Sequence, residues 1–158
     1  MKIIPLILLA VLVAVVAVLI FIPSTKPPGA DADITEAVFR YQFQHNNSAL
    51  QQKAGAYYLS LGSGQDPSDD FMRRFKGHKP PVKKQRECTG GVAGIKDRKT
   101  GKRGLLFRVY RIKWINNHTA DVEGGYYEDG LSASGNIYRV VRKGRRWVVV
   151  SDKLDWIS

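Results

Sequence analysis

Residues 105–115, LLFRVYRIKWI, open the part of the chain that decides the fold. The run is rich in β-branched and aromatic side chains and holds no Gly or Pro, so it reads as one long strand. Three further runs follow: residues 120–127, ADVEGGYY; residues 136–142, NIYRVVR; and residues 146–151, RWVVVS. In the second, Ala120, Val122, Gly124 and Tyr126 fall on one side, and Asp121, Glu123, Gly125 and Tyr127 on the other. Asn116-Asn117-His118 and the Gly-bearing Arg142-Lys143-Gly144-Arg145 read as turns. Long strands with short connections predict an antiparallel meander. Gly124-Gly125 predicts a bulge or kink where the sheet curves. Tyr110, Ile112 and Trp114 are expected on one face, with Arg111 and Lys113 on the other.

Upstream of the meander the period changes. Asp33 with Glu36 three residues later has capping-box spacing, and Ile34, Ala37, Val38 and Tyr41 recur at helical intervals, so a helix is expected over residues 34–46. Residues 56–61, AYYLSL, fit either a short strand or the end of a second helix. Asp66-Pro67-Ser68-Asp69-Asp70 is a helix start, with Phe71, Met72 and Phe75 as its apolar face and Gly77 as its stop. Residues 82–88 are an expected edge strand, and residues 90–102 a long hairpin loop. Helices first and strands afterwards predict an α+β domain with helices packed on a curved antiparallel sheet of four to six strands. Trp114, Trp147 and residues 148–150 are expected to be buried, and Phe71 and Phe75 to close one end.

This element order, with the closing Gly144-Arg145-Arg146-Trp147-Val148-Val149-Val150, resembles the nuclear transport factor 2-like (cystatin-like) α+β roll over residues 33–158. Residues 66–75, DPSDDFMRRF, and 123–127, EGGYY, are also similar to uncharacterised membrane-anchored bacterial proteins. In enzymes of this roll a cavity lies between helices and concave sheet, where a His or Asp performs proton transfers. The resemblance therefore implies a candidate cavity lined by Tyr41, His45, Glu123 and Tyr126.

Residues 3–22, IIPLILLAVLVAVVAVLIFI, carry no charge. As a helix they would extend about 30 Å, the thickness of a bilayer's hydrocarbon core. The segment ends in bulky Phe21-Ile22-Pro23, and the only small-x-small triplet downstream is Ala30-Asp31-Ala32. An uncleaved signal anchor is therefore expected rather than a cleaved signal peptide. Lys2 before the segment and Lys26 after it give a small preference for an inside N-terminus. The expected organisation is a transmembrane signal anchor at residues 1–23, a Pro-rich tether at 24–32 and a basic α+β roll at 33–158. Together with the resemblance, this predicts a single-pass bacterial inner-membrane protein whose globular domain lies outside the cytoplasm.

Charge is the chain's most pronounced compositional feature. Its 25 Lys and Arg against 14 Asp and Glu give a net charge of +11. The basic residues come in blocks, at residues 73–86, 96–103 and 139–146. The candidate basic surface comprises Arg73, Arg74, Lys83, Lys84, Arg86, Lys99, Lys102, Arg103, Arg142 and Arg145. Such a field attracts an acidic protein or anionic lipid. Phe107-Arg108-Val109-Tyr110-Arg111 interleaves aromatics with cations, yet no named nucleic-acid motif is present, so nucleic acid is disfavoured as a partner.

Chemistry has few footholds. There is one cysteine, Cys88, so neither an intrachain disulfide nor a Cys-rich metal module can form. His45, His78 and His118 have no ligand-spaced neighbours, and no metal or other cofactor is expected. His78 and His118 are expected to be solvated. No nucleophile elbow, P-loop or dinucleotide turn occurs. The expected function is binding or scaffolding through the basic blocks; the alternative is a small-molecule-binding or proton-transfer enzyme using the roll's cavity.

Overall fold

A computed structural model describes residues 26–158. The apolar segment at residues 3–22 lies outside the described residues. Among the described residues, no helix is long and apolar enough to cross a membrane. The architecture is α+β: a six-stranded, mostly antiparallel sheet with few helices.

Helix α1 spans Ala30–Gln44. It begins four residues before the expected start, so Asp33 and Glu36 sit inside the helix and pair with Arg74 rather than forming a cap. Strand β1 (Tyr57–Leu61) settles the ambiguous 56–61 segment as a strand. The short helix α2 (Asp69–Arg73) starts as its sequence demands: Ser68 accepts a hydrogen bond from the Phe71 N–H, and Asp69 and Asp70 occupy the first turn. Gly77, at φ +83°, lies in the left-handed region that ends the following turn.

Strand β2 (Val82–Lys84) is followed by a 3₁₀ turn (Gln85–Glu87) and a two-residue hairpin ladder of β3 (Cys88–Thr89) with β4 (Lys96–Asp97). The meander is β5 (Leu105–Asn116), β6 (Thr119–Asp129), β7 (Ser132–Lys143) and β8 (Arg146–Ile157). The sheet order is β2-β1-β5-β6-β7-β8. It is not wholly antiparallel, because β1 runs parallel to both β2 and β5.

Bulges set which side chains face α1. One lies between Val109 and Arg111 in β5, directly opposite Glu123 and Gly124. The irregularity therefore falls at the predicted level, but in the partner strand. The extra residue, Tyr110, is exposed and leaves the Ile112–Trp114 face it was expected to share. Gly124 and Gly125 meet a different need: a Cβ on Gly124 would lie 2.6 Å from the Arg108 carbonyl oxygen, and one on Gly125 2.0 Å from that of Ser134.

The α1-facing core is aromatic. Phe39, Phe43, Tyr57 and Phe107 are fully buried, and Phe43 packs against Tyr57 and Phe107 with ring centroids 4.8 and 5.1 Å apart. Phe71 and Phe75 close one side, edge-on to Phe39, as expected. Trp114 and Trp147 form a T-shaped pair, 5.5 Å apart, but each is only half-buried. Val149 packs on the core, whereas Val148 and Val150 are exposed. That part of β8 lies on the sheet edge, where alternation turns every second side chain to solvent. A second, smaller core on the opposite face joins Ala56, Tyr58, Cys88, Ile95 and Leu106 under the β3–β4 hairpin.

Candidate functional site

The site is built where β2, the 3₁₀ turn and the β3–β4 hairpin meet. Its centre is Asp97, a buried carboxylate that accepts four hydrogen bonds. Tyr58 Oη and Lys83 Nζ donate to Oδ2 at 2.7 and 2.6 Å. The backbone N–H groups of Lys99 and Thr100 donate to Oδ1, both at 2.9 Å. This is an Asx turn, the local preference of an Asp two residues before the chain reverses. The Lys83 ammonium beside Asp97, and then the Tyr58 hydroxyl, hold its carboxyl below the usual carboxylate range. Burial, reinforced by Asp97, pushes the Tyr58 phenol above its ordinary value.

Around this anchor runs an open groove of about 260 Å³, lined by Lys83, Arg86, Glu87, Asp97, Arg98 and Lys99. Arg98 Nε donates to the Arg86 carbonyl at 2.7 Å, which holds the Arg98 guanidinium against the backbone of the 3₁₀ turn. Arg86 pairs loosely with Asp66 at 3.4 Å. Arg98, Lys99 and the neighbouring Lys102 have no carboxylate partner among the described residues. Residues distant in sequence, from the first and second basic blocks, thus converge on one exposed positive concavity. Such an arrangement attracts anionic groups.

Other members of the expected basic surface do not join it. Arg74 Nη1 bridges Asp33 and Glu36 at 2.7 and 2.8 Å and ties α2 to α1. Arg73 pairs with Asp70, and Lys84 with Asp69 at 2.6 Å. Arg103 clamps Glu128 and Asp129, both at 3.0 Å. Arg142 and Arg145 lie on the β7–β8 turn, at the other end of the sheet. Ion pairing inside the domain therefore consumes much of the charge that composition alone suggests is available.

The four candidate cavity residues do not converge. Tyr41 and His45 stack at 4.1 Å on α1, with His45 exposed at the helix end. Tyr126 is buried on the α1-facing side of β6, its hydroxyl 3.5 Å from Ser132 Oγ. Glu123 points to the opposite face, where it pairs with Arg111, because residues 123 and 126 differ by an odd step in a strand. The space between α1 and the sheet is filled by Phe43, Tyr57, Phe107 and Tyr138, together with the buried amide of Gln42. Gln42 Nε2 donates to the Arg108 carbonyl at 3.1 Å. Of the other histidines, His118 is exposed, but His78 is half-buried with its ring 5.0 Å from that of Phe43.

Asp97, Tyr58 and Arg98 were not singled out from the sequence. The available signal was a lone acid within a basic run, Lys96-Asp97-Arg98-Lys99-Thr100-Gly101, where Asp, with Gly four residues on, suits a turn. Compared with known proteins, the chain matches no family model, no curated protein and no solved structure.

Proposed function

We propose that the chain is a membrane-tethered, non-catalytic binding domain that engages an acidic protein partner through the groove around Asp97. The observation that carries this reading is the convergence of Arg86, Arg98 and Lys99 on one exposed concavity. Residues 3–22 supply the tether: twenty uncharged residues are long enough to span a bilayer. The proposed setting is the bacterial inner membrane with the domain outside the cytoplasm. The order of one long helix, a short helix and four long antiparallel strands supports reading residues 33–158 as an α+β roll. The aromatic packing under α1 favours binding at the surface over chemistry in the roll's interior.

The test compares the full chain in detergent with an Arg86→Gln/Arg98→Gln/Lys99→Gln variant, using poly-L-glutamate as the acidic probe. Lys83 is left intact because Asp97 depends on it. Binding should weaken at least about tenfold in the variant and fall as salt rises, since exposed charges are screened beyond about 8 Å at physiological ionic strength. A variant that binds as the parent does, or binding indifferent to salt, would overturn the proposal.

A further inference from the structure

The third basic block occupies a different place from the groove. The β7–β8 turn carries Arg142, Lys143, Arg145 and Arg146, all exposed and without a carboxylate partner among the described residues. This turn lies at the end of the sheet where the described chain begins. Trp114 Nε1, near the end of β5, donates to Asp31 Oδ1 at 3.0 Å in the first turn of α1. Asp33, Glu36, Ala37 and Arg40 line an open groove together with Arg145, Arg146 and Trp147. The Arg142 N–H donates to the His118 carbonyl at 2.8 Å, which fixes the β5–β6 and β7–β8 turns side by side. The acids nearest the turn are already engaged: Arg74 holds Asp33, and both Arg40 and Arg74 hold Glu36.

The length of chain before α1 then constrains where this end can lie. Seven residues, 23–29, separate Ile22 from Ala30. Fully extended they reach about 25 Å at most. If residues 3–22 span a bilayer, the first turn of α1 cannot leave the membrane's vicinity. The groove around Asp97 sits at the level of Leu106, toward the opposite end of strands that run for 12 residues. At about 3.3 Å per residue, the two ends of such a strand are nearly 40 Å apart.

Resting on the membrane-tethered reading above, we propose that Arg142, Lys143, Arg145 and Arg146 lie against anionic lipid headgroups of the membrane that holds residues 3–22. The unpaired cations supply the attraction. Exposed Ile115 and Val148, with half-buried Trp147, give the same end apolar and aromatic surface suited to a bilayer interface. The contact would orient the domain so that the Asp97 groove faces away from the membrane, open to a partner.

The experiment uses the full chain in vesicles of equimolar phosphatidylcholine and phosphatidylglycerol, with pure phosphatidylcholine vesicles as comparison. A fluorophore is placed at His118→Cys, beside the basic turn, or at Leu131→Cys, at the far end of the sheet. Cys88 is replaced by Ala, or left in place where that variant misfolds, since its burial shields it. A quencher attached to lipid headgroups reports proximity, and flotation on a density gradient reports attachment. The label at position 118 should be quenched at least about twofold more than the label at 131 in the anionic vesicles. That difference should shrink in pure phosphatidylcholine, at high salt, and in an Arg142→Gln/Lys143→Gln/Arg145→Gln/Arg146→Gln variant. A chain that fails to float overturns the tether, and this proposal with it. A chain that floats with both labels equally quenched, or with position 131 quenched more, overturns the orientation alone. Quenching at 118 that ignores both lipid charge and the four substitutions overturns the role of the cations.

Discussion

Lys83 Nζ lies 2.6 Å from Asp97 Oδ2, and this pair joins the sheet edge at β2 to the β3–β4 hairpin. It explains why Lys83 is structural, whereas Arg98 and Lys99, which line the same groove, have no carboxylate partner among the described residues. Asp97 is buried and its two oxygens are fully occupied, so Lys83 completes an internal network.

The pair makes stability depend on pH in a defined direction. A carboxyl held low in the folded state contributes stability that is fully present above its unfolded value, near about 4. That contribution is lost as pH falls toward the folded value. Asp97→Asn should therefore lower Tm at neutral pH, by roughly 5 °C or more, and the gap to the parent should narrow on acidification below about pH 4. Thermal melts of both chains across that range provide the check; a gap that stays constant or widens would contradict the assignment.

A buried position in the interior strand β5 and an exposed one in the edge strand β8 should respond differently to substitution. Phe107 is fully buried among Phe43 and Tyr57, so Phe107→Ala should cost about 3–5 kcal/mol through lost burial and the cavity left behind. Val148→Thr, at an exposed position, should change stability by less than about 0.5 kcal/mol. Urea unfolding of the two variants measures both.

Two glycines in paired register should differ in their tolerance of a methyl group. A Cβ on Gly125 would press on the Ser134 carbonyl, a backbone atom in the middle of the sheet, so Gly125→Ala should cost about 1–3 kcal/mol. At Gly135 the obstacle is the Trp156 indole, 2.1 Å from the ideal Cβ and nearly half exposed. That ring can swing away. Gly135→Ala should be the milder change, and intrinsic tryptophan fluorescence should report the displaced ring.

Cys88 should be chemically quiet. Its Sγ donates to the Gln85 carbonyl at 3.1 Å beneath the hairpin, and burial pushes the thiol up to about 11. The thiolate is the reactive form, so a disulfide reagent near neutral pH should label the native chain far more slowly than the unfolded one. Equal rates would show that the hairpin opens readily.

The pattern of residues 105–151 carried most of the fold. Alternation identified the α1-facing side of β6, and turn chemistry located the connections, because both are local properties of the backbone and its side-chain period. The amphipathic spacing of Ile34, Val38 and Tyr41 similarly revealed α1. Local signals could not specify that β1 runs parallel to β5, since that pairing joins segments some 45 residues apart through packing of Tyr57 on Phe107. Nor could they show that one extra residue at Tyr110 changes its own facing. For the site, composition determined the charge excess and its three blocks. Only the tertiary structure decided which cations remain available. Asp33, Glu36, Asp69, Asp70, Glu128 and Asp129 each find a basic partner that sequence distance does not reveal for most of them. Coulombic attraction acts through space, so the fold, and not the order of residues, separates the cations bound internally from those facing solvent.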